Sequence, residues 1–522
     1  MSRVLLRSAV TAAGVLAAAW FAAPDARTQP AATLQPAHVQ LTRDEDFERT
    51  RQLLGISGPP PAGASSTAPE TFDESQANPY PDLPDPLVLS GGQRVTTAAA
   101  WNNQRRGELI ELFEREIYGR TPKETPRVTW EVLSTAREMN GTVPVITKQL
   151  VGKVDNAAYP ALTVNILASV STPADATGPV PVILSFGFGA GGGRGGAAEA
   201  APANMPAPTT VCQPTNAPPP PAPAARGGQA PGARGGGPAA GRGRAGGPQA
   251  PQGPTNQQQA LALGWGYATV VTNSIQADNG QGLTCGIIGL VNKGQPRSLE
   301  DWGVLAAWAW GASRVLDYFE TDSAVDQTRV GMYGHSRWGK ATLLAAVLDP
   351  RFAIAYVSSS GQGGAKLHRR KYGETVDNLA NTFYYWMGGN YIKYAGRWDT
   401  MPVDSHELIA LMAPRPVFLS GGNDPQKNPD GTIATRVNDQ GQTVVVAAND
   451  AWIDPRGSFM AAVAAAPVYE LLGGTGLGIT DYPPLDTKVI TGDIGFHQHP
   501  GGHVSGPAWE TFYQFAVRHF AR

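Results

Sequence analysis

The segment from Val330 to Leu348 (VGMYGHSRWGKATLLAAVL) constrains this chain's fold more than any other. Val330–Tyr333 reads as a brief apolar strand, and Lys340–Leu348 reads as a helix ended by Asp349-Pro350. Only a few residues separate the two, among them Gly334, Ser336 and Gly339. A strand that passes this quickly into a helix forces a sharp turn, which glycines tolerate because they have no Cβ. Repeated strand–helix alternation of this kind builds a mostly parallel sheet.

The rest of the chain supports such alternation. Arg105–Gly119 places Leu109, Ile110, Leu112, Phe113 and Ile117 near helical spacing, with Gly119 as a stop. Ser298-Leu-Glu-Asp301 resembles a capping box and opens an apolar helix that runs through Phe319. Strands are expected at Val128–Leu133, Tyr159–Leu167, Val180–Phe186, Tyr267–Asn273, Ile354–Val357, Val417–Ser420 and Lys488–Thr491. The fold class that follows is α/β, a three-layer sandwich with a mostly parallel central sheet and helices on both faces.

Two kinds of segment fall outside this pattern. At the N-terminus, Arg3 and Arg7 precede an apolar run from Ala9 to Ala23, broken by Pro24, Asp25 and Arg27. This describes a secretory signal over residues 1–26 and hence a periplasmic or secreted protein; the run is short for a membrane span, the alternative being an N-terminal anchor. Residues 27–95 are rich in Pro, Ala, Ser and Thr and read as an extended leader. Within the main domain, residues 96–522, a Gly/Pro/Ala insertion fills 187–256 and a polar insertion fills 424–449. The first carries too little apolar surface to offset the entropy of ordering it.

Composition excludes some partners. A net charge of −2 gives no field for nucleic acid or an anionic membrane, and the arginines between Arg194 and Arg244 are scattered among Gly and Ala. Cys212 and Cys285 are the only two cysteines and could pair after export, tethering the insertion. Neither sits in a metal-binding pattern.

The chemistry centres on Ser336. A serine hydroxyl attacks well only when exposed, deprotonated by a base and faced by an oxyanion hole, and a strand-to-helix turn supplies the exposure. The spacing here is G-x-S-x-x-G, with Gly334 two before and Gly339 three after the serine. The plainer reading of Ser336 is a cap on the following helix.

Longer motifs narrow the field. These are Asp301-Trp-Gly, Trp308-Ala-Trp-Gly-Ala-Ser-Arg-Val-Leu-Asp-Tyr, Gly334-His-Ser-Arg-Trp-Gly-Lys340 and Ser360-Gly-Gln-Gly-Gly364. Arg369-Arg-Lys-Tyr-Gly-Glu374-Thr, Leu408-Ile-Ala-Leu-Met-Ala-Pro-Arg-Pro416, Asp450-Ala-Trp-Ile-Asp-Pro-Arg-Gly-Ser-Phe459, Gly495-Phe-His and Gly502-His503 follow in order. Together they resemble the glucuronoyl esterases, carbohydrate esterase family 15, across roughly residues 97–522. The resemblance implies an α/β-hydrolase fold that cleaves esters of 4-O-methyl-glucuronic acid on glucuronoxylan to lignin alcohols, without metal or cofactor. It also implies an acyl-enzyme on Ser336; a monomer is expected, although the sequence carries no signal for oligomeric state.

Among eight histidines, His503 is the expected base, since it follows the last strand through a Gly-rich loop. His497 and His499 are rivals, His335 adjoins the nucleophile, and His519 is expected to face solvent from the terminal helix. The family's carboxylate stands after one of two strands. At the first place this chain has Ser359; the second leads to Asp450, once the 26 residues Asp424–Asn449 are set aside. Asp450 is the expected acid, with Asp454 and Asp424 as rivals. By the same resemblance Arg337 faces the oxyanion, and Lys340, Glu374 and Trp452 bind the sugar acid. Without it, each reads as a salt bridge or core residue. Two other functions remain open: an esterase of other specificity, such as one for acetylated xylan, and a non-catalytic carbohydrate-binding homologue.

Overall fold

The computed structural model describes residues 35–58, 72–187, 253–423, 427–432, 434–437, 443–445 and 450–521. A ten-stranded sheet crosses it in the order β1-β2-β3-β5-β4-β6-β7-β8-β12-β11. The strands are β1 (Val128–Asn140), β2 (Val143–Val154), β3 (Asn165–Pro173), β4 (Val180–Gly187), β5 (Gly266–Val271), β6 (Val325–His335), β7 (Phe352–Ser358) and β8 (Val417–Gly421). β9 (Thr435–Val437) and β10 (Thr443–Val445) form a separate hairpin, and β11 (Lys488–Val489) and β12 (Ile494–Gln498) close the far edge. From β5 through β12 neighbours run parallel, while β1, β2, β3 and β11 pair antiparallel.

The alternation of side chains along the central strands sorts the core into two layers. Val182, Leu184, Phe186, Met332, Ala355 and Val357 join the layer packed by helices Val304–Phe319, Arg337–Leu348 and Pro455–Leu471. Ile183, Tyr333, Ile354, Tyr356 and Phe418 face the other side, where helix Trp509–Phe520 contributes Trp509, Phe512 and Phe515. The expected α/β sandwich is thus present. Tyr356 lies nearly parallel to Phe512, ring centroids 4.8 Å apart.

Several boundaries differ from the sequence reading. Tyr159–Leu167 is mostly a turn, and the strand begins at Asn165. β2 was not expected, because its residues on both faces are mixed in polarity. The last parallel strand is Ile494–Gln498 rather than Lys488–Thr491; only Lys488 and Val489 of the latter pair, and antiparallel. Between the two, the Asp493 carboxylate accepts from the Thr475 backbone N–H at 2.7 Å.

The largest correction concerns the leader. The described residues from Ala37 onward pack as one unit, so much of the stretch expected to be extended joins the domain. Its charges, which masked this in the sequence, are what dock it. A helix at Arg43–Leu53 opens with a capping box between Thr42 and Glu45. Arg43 donates to the Asn381 carbonyl at 2.8 Å, and Tyr384 donates to Asp46 at 3.0 Å. Glu74 accepts from the buried Arg370 at 2.5 Å, and Phe72, Ala77, Leu87 and Val95 are buried. The expected signal segment, Cys212 and most of the 187–256 insertion lie outside the described residues. Cys285 carries no free thiol. No helix among the described residues is long and apolar enough to cross a membrane.

Candidate active site

Ser336 sits between β6 and the helix Arg337–Leu348 with φ 61° and ψ −129°. The glycines around it are required by close approach. A Cβ on Gly334 would lie 2.2 Å from the Trp338 carbonyl oxygen, and one on Gly339 would lie 2.7 Å from that of Ser358. The G-x-S-x-x-G spacing therefore marks where the new helix and β7 crowd the turn. Ser336 N–H donates to the Ser358 carbonyl at 2.9 Å, which ties the turn to β7.

His503 lies on the loop after β12, and its Nδ1 is 2.6 Å from Asp450 Oδ1. Asp450 is fully buried. Its Oδ2 accepts from the Gly422 N–H at 2.7 Å and from the Ser359 hydroxyl at 2.5 Å. Gly422, just after β8, is the joint of this arrangement. A Cβ there would meet the carbonyls of Gly501 and Gly502 at 2.4 and 2.5 Å, and Asp450 Cβ at 2.6 Å. The polar insertion between residues 424 and 449 thus leaves and returns at one spot, with Asp450 brought directly against the strand end. Asp424 lies outside the described residues.

Asp454, the rival acid in the sequence, is engaged elsewhere. It adopts φ 53°, caps the helix Pro455–Leu471 by accepting from Gly457 N–H at 3.0 Å, and accepts from Arg370 Nε at 2.7 Å. Burial raises its pKa. Among the rival histidines, His497 Nε2 lies 2.9 Å from Asp486, and His499 Nδ1 accepts from Gly501 N–H at 3.2 Å. Burial depresses His499 to about 4. His519 is a correction: its side chain is 5% exposed, packed on Phe515 and near Asp493 rather than facing solvent.

His335 also belongs to the neighbourhood. Its ring centroid is 4.4 Å from that of His503, and its Nδ1 is 3.0 Å from Ser358 Oγ. Burial foremost, with the nearby His503 adding to it, depresses its pKa to about 3, so this ring stays neutral. The Trp452 ring also contacts His503, centroids 4.8 Å apart. His503 is therefore contacted by two rings while Asp450 engages its Nδ1.

Charged groups line the next turn of helix. Lys340 is buried, and its Nζ donates to the carbonyls of Ser360 and Gln362 at 2.7 and 2.6 Å and to Glu374 Oε2 at 2.7 Å. Three acceptors match the three ammonium protons. Glu374 is set by its own N–H, which donates to the Trp452 carbonyl at 2.6 Å. Arg337 pairs with Asp278 at 2.5 Å and lies over the Trp386 ring. All seven expected site residues thus fall around the C-terminal ends of β6, β7, β8 and β12. The sequence reading missed Ser359 as a donor and Asp278 and Trp386 altogether; it placed His335 beside the nucleophile but not against the His503 ring. Among the described residues no group of three or more His, Cys, Asp or Glu could hold a metal ion.

This arrangement has relatives. A family model described as glucuronyl esterase, fungi, matches residues 297–447. Carbohydrate esterase MZ0003, from an unknown prokaryotic organism, is 33% identical over 460 residues, covering 86% of this chain and 91% of that protein. The solved CE15 glucuronoyl esterase from Teredinibacter turnerae superposes with a TM-score of 0.71 at 33% identity, covering 92% of this chain and all of that one. The chain belongs to the CE15 glucuronoyl esterase family. It is a carboxylic ester hydrolase with the α/β-hydrolase fold. The 4-O-methyl-glucuronoyl methylesterase 1 of Sodiomyces alcalophilus matches more locally, at 35% identity over 131 residues, 23% of this chain and 26% of that protein.

Proposed function

We propose that this esterase hydrolyses esters of 4-O-methyl-glucuronic acid, of the kind that join glucuronoxylan to lignin, by a serine mechanism. The observation that carries the reading is the short Asp450–His503 contact held beside the strained Ser336 turn. Ser336 attacks the ester carbonyl while His503 accepts its proton and returns one to the departing alcohol. Asp450 holds the ring in the productive tautomer and stabilises the imidazolium that forms. Arg337 and backbone N–H groups face the developing oxyanion. Water then cleaves the acyl-enzyme by the same route.

Glu374, Lys340 and Trp452 would recognise the sugar acid. Glu374 is held through Oε2, which leaves Oε1 to accept a sugar hydroxyl. Lys340 has its three protons committed, so a sugar oxygen reaches it only by sharing one. Trp452 offers a ring face beside His503. The basic, apolar N-terminus supports export to the periplasm or beyond. The near-neutral net charge of −2 suits a carbohydrate partner better than nucleic acid, and the protein is proposed to act as a monomer.

Turnover of benzyl glucuronate beside an acetylated xylan tests this reading. Wild type should cleave the glucuronate ester and leave the acetyl ester nearly untouched, and Ser336→Ala should abolish turnover. Preference for the acetyl ester would move the protein to another esterase specificity. Equal residual turnover in wild type and Ser336→Ala would make it a non-catalytic homologue.

A further inference from the structure

Asp278 has no part in the reading above, yet it holds two groups beside the reacting centre. It lies on the bend between the short helix Thr272–Ile275 and the 3-10 turn Gly280–Thr284. One carboxylate oxygen accepts from Arg337 Nη1 at 2.5 Å, and the other accepts from Trp386 Nε1 at 2.6 Å. The Arg337 guanidinium carbon stands 5.3 Å from the Trp386 ring centroid. One carboxylate therefore clamps the guanidinium and the ring beneath it to each other. Trp386 is 3% exposed and stacked on Phe383, planes 7° apart and centroids 4.2 Å, so the platform itself does not move easily.

The bend is anchored on both sides. Gln276, fully buried, donates to the Gly282 carbonyl at 2.6 Å and accepts from the Ile288 N–H at 3.1 Å. Trp308 donates to the Gln276 carbonyl at 2.9 Å, and Asn279 caps the turn by accepting from Gly282 N–H at 2.7 Å. On the outside, a Cβ on Gly280 would touch the Tyr384 hydroxyl at 2.8 Å and Arg43 Cγ at 2.9 Å, so the docked N-terminal helix closes over it. Arg337, by contrast, is 37% exposed and would sample many rotamers without a partner.

We infer that Asp278 is a positioning residue that presets Arg337 for the oxyanion, an inference that rests on the oxyanion role proposed for Arg337. A guanidinium carries five N–H donors in a rigid fork, and the ion pair engages Nη1. The rest of the fork is then aimed rather than sought during the reaction. A preorganised donor stabilises developing charge without reorganising at the moment of reaction, which is why fixing Arg337 matters to kcat. Asp278 touches neither the ester nor the triad. Its effect should pass through Arg337 alone.

A double-mutant cycle on benzyl glucuronate tests this, with the thermal midpoint of each variant measured alongside. Arg337→Ala should lower kcat by about 100- to 1,000-fold, as loss of one oxyanion donor does. Asp278→Asn should lower kcat by about 10- to 100-fold with KM within twofold of wild type, and Asp278→Glu should recover part of the loss. In the Arg337→Ala background Asp278→Asn should change kcat by less than twofold. Trp386→Phe, which keeps the ring face and removes the second donor, should show a smaller loss that also vanishes without Arg337; it decides the matter if Asp278→Asn does not fold. Undiminished kcat in Asp278→Asn, or an equal loss in both backgrounds, overturns the inference while leaving Arg337 its role. Undiminished kcat in Arg337→Ala overturns the oxyanion reading itself.

Discussion

Asp450 and Asp454 stand four residues apart on the same turn, and both side chains are fully buried, yet their surroundings differ in kind. Asp450 receives an imidazole, a hydroxyl and one backbone N–H. Asp454 receives a guanidinium and a helix N-terminus. A guanidinium keeps its proton at any working pH, whereas an imidazole exchanges its proton near neutrality. Neither burial nor the carboxylate sets the two aspartates apart; the proton-exchanging capacity of the partner does, and it makes Asp450 the candidate for chemistry. Asp454 instead holds together three elements: the leader through Arg370 and Glu74, the segment that bears Arg370, and the helix Pro455–Leu471.

Isosteric amides at the two positions should separate these roles most sharply. Asp450→Asn should lower kcat by about 10⁴-fold, the scale for a triad carboxylate that can no longer fix the histidine tautomer. Its unfolding midpoint should stay close to wild type, because the hydrogen-bonding shape survives. Asp454→Asn should do the reverse. Leaving buried Arg370 with Glu74 as its remaining carboxylate should cost about 1–3 kcal/mol in a urea titration, with kcat per folded molecule within twofold of wild type. If Asp454→Asn alone destroys activity in folded protein, the two assignments are interchanged.

Smaller effects refine the Asp450 side. Ser359→Ala removes one of its donors and should lower kcat about tenfold, the equivalent of ~1.4 kcal/mol. The same loss of activity in Ser420→Ala, whose hydroxyl bonds Ser358 rather than Asp450, would show that Ser359 acts only through packing. A separate effect concerns pH. His335 titrates at about 3 when folded, against about 6.5 when unfolded. Between these values the unfolded chain binds a proton that the native state does not, so stability is complete above pH 6.5 and falls as pH drops toward 3. His335→Gln should flatten the fall of the unfolding midpoint between pH 6.5 and 4; an unchanged slope would place the acid sensitivity in other groups.

The parts legible in the sequence were those fixed by local pattern. The Ser336 turn announces itself through Gly334 and Gly339, and the central strands through short apolar runs. Asp450 comes forward as the candidate acid because setting aside a polar insertion restores a continuous motif, and Gly422 is where the chain makes that join. Contacts between distant segments left no such trace. Nothing in the run around Asp278 names Arg337, 59 residues away, as its partner. The leader's Pro and Ala content hid a docked helix, since Asp46 and Arg43 look like solvent-facing charges until Tyr384 is placed against them. Ser359 read as a vacancy where a carboxylate could stand, while its hydroxyl in fact braces the carboxylate that stands elsewhere.

Ser336 holds a backbone conformation that side chains other than glycine's adopt at a cost of about 1–3 kcal/mol. Glycine would sit there without strain, so the substitution that most relaxes this turn deletes the proposed nucleophile. Selection for thermal robustness alone would therefore push this position toward an inert protein. An engineer seeking a hardier esterase must find stability elsewhere and leave this one tension in place.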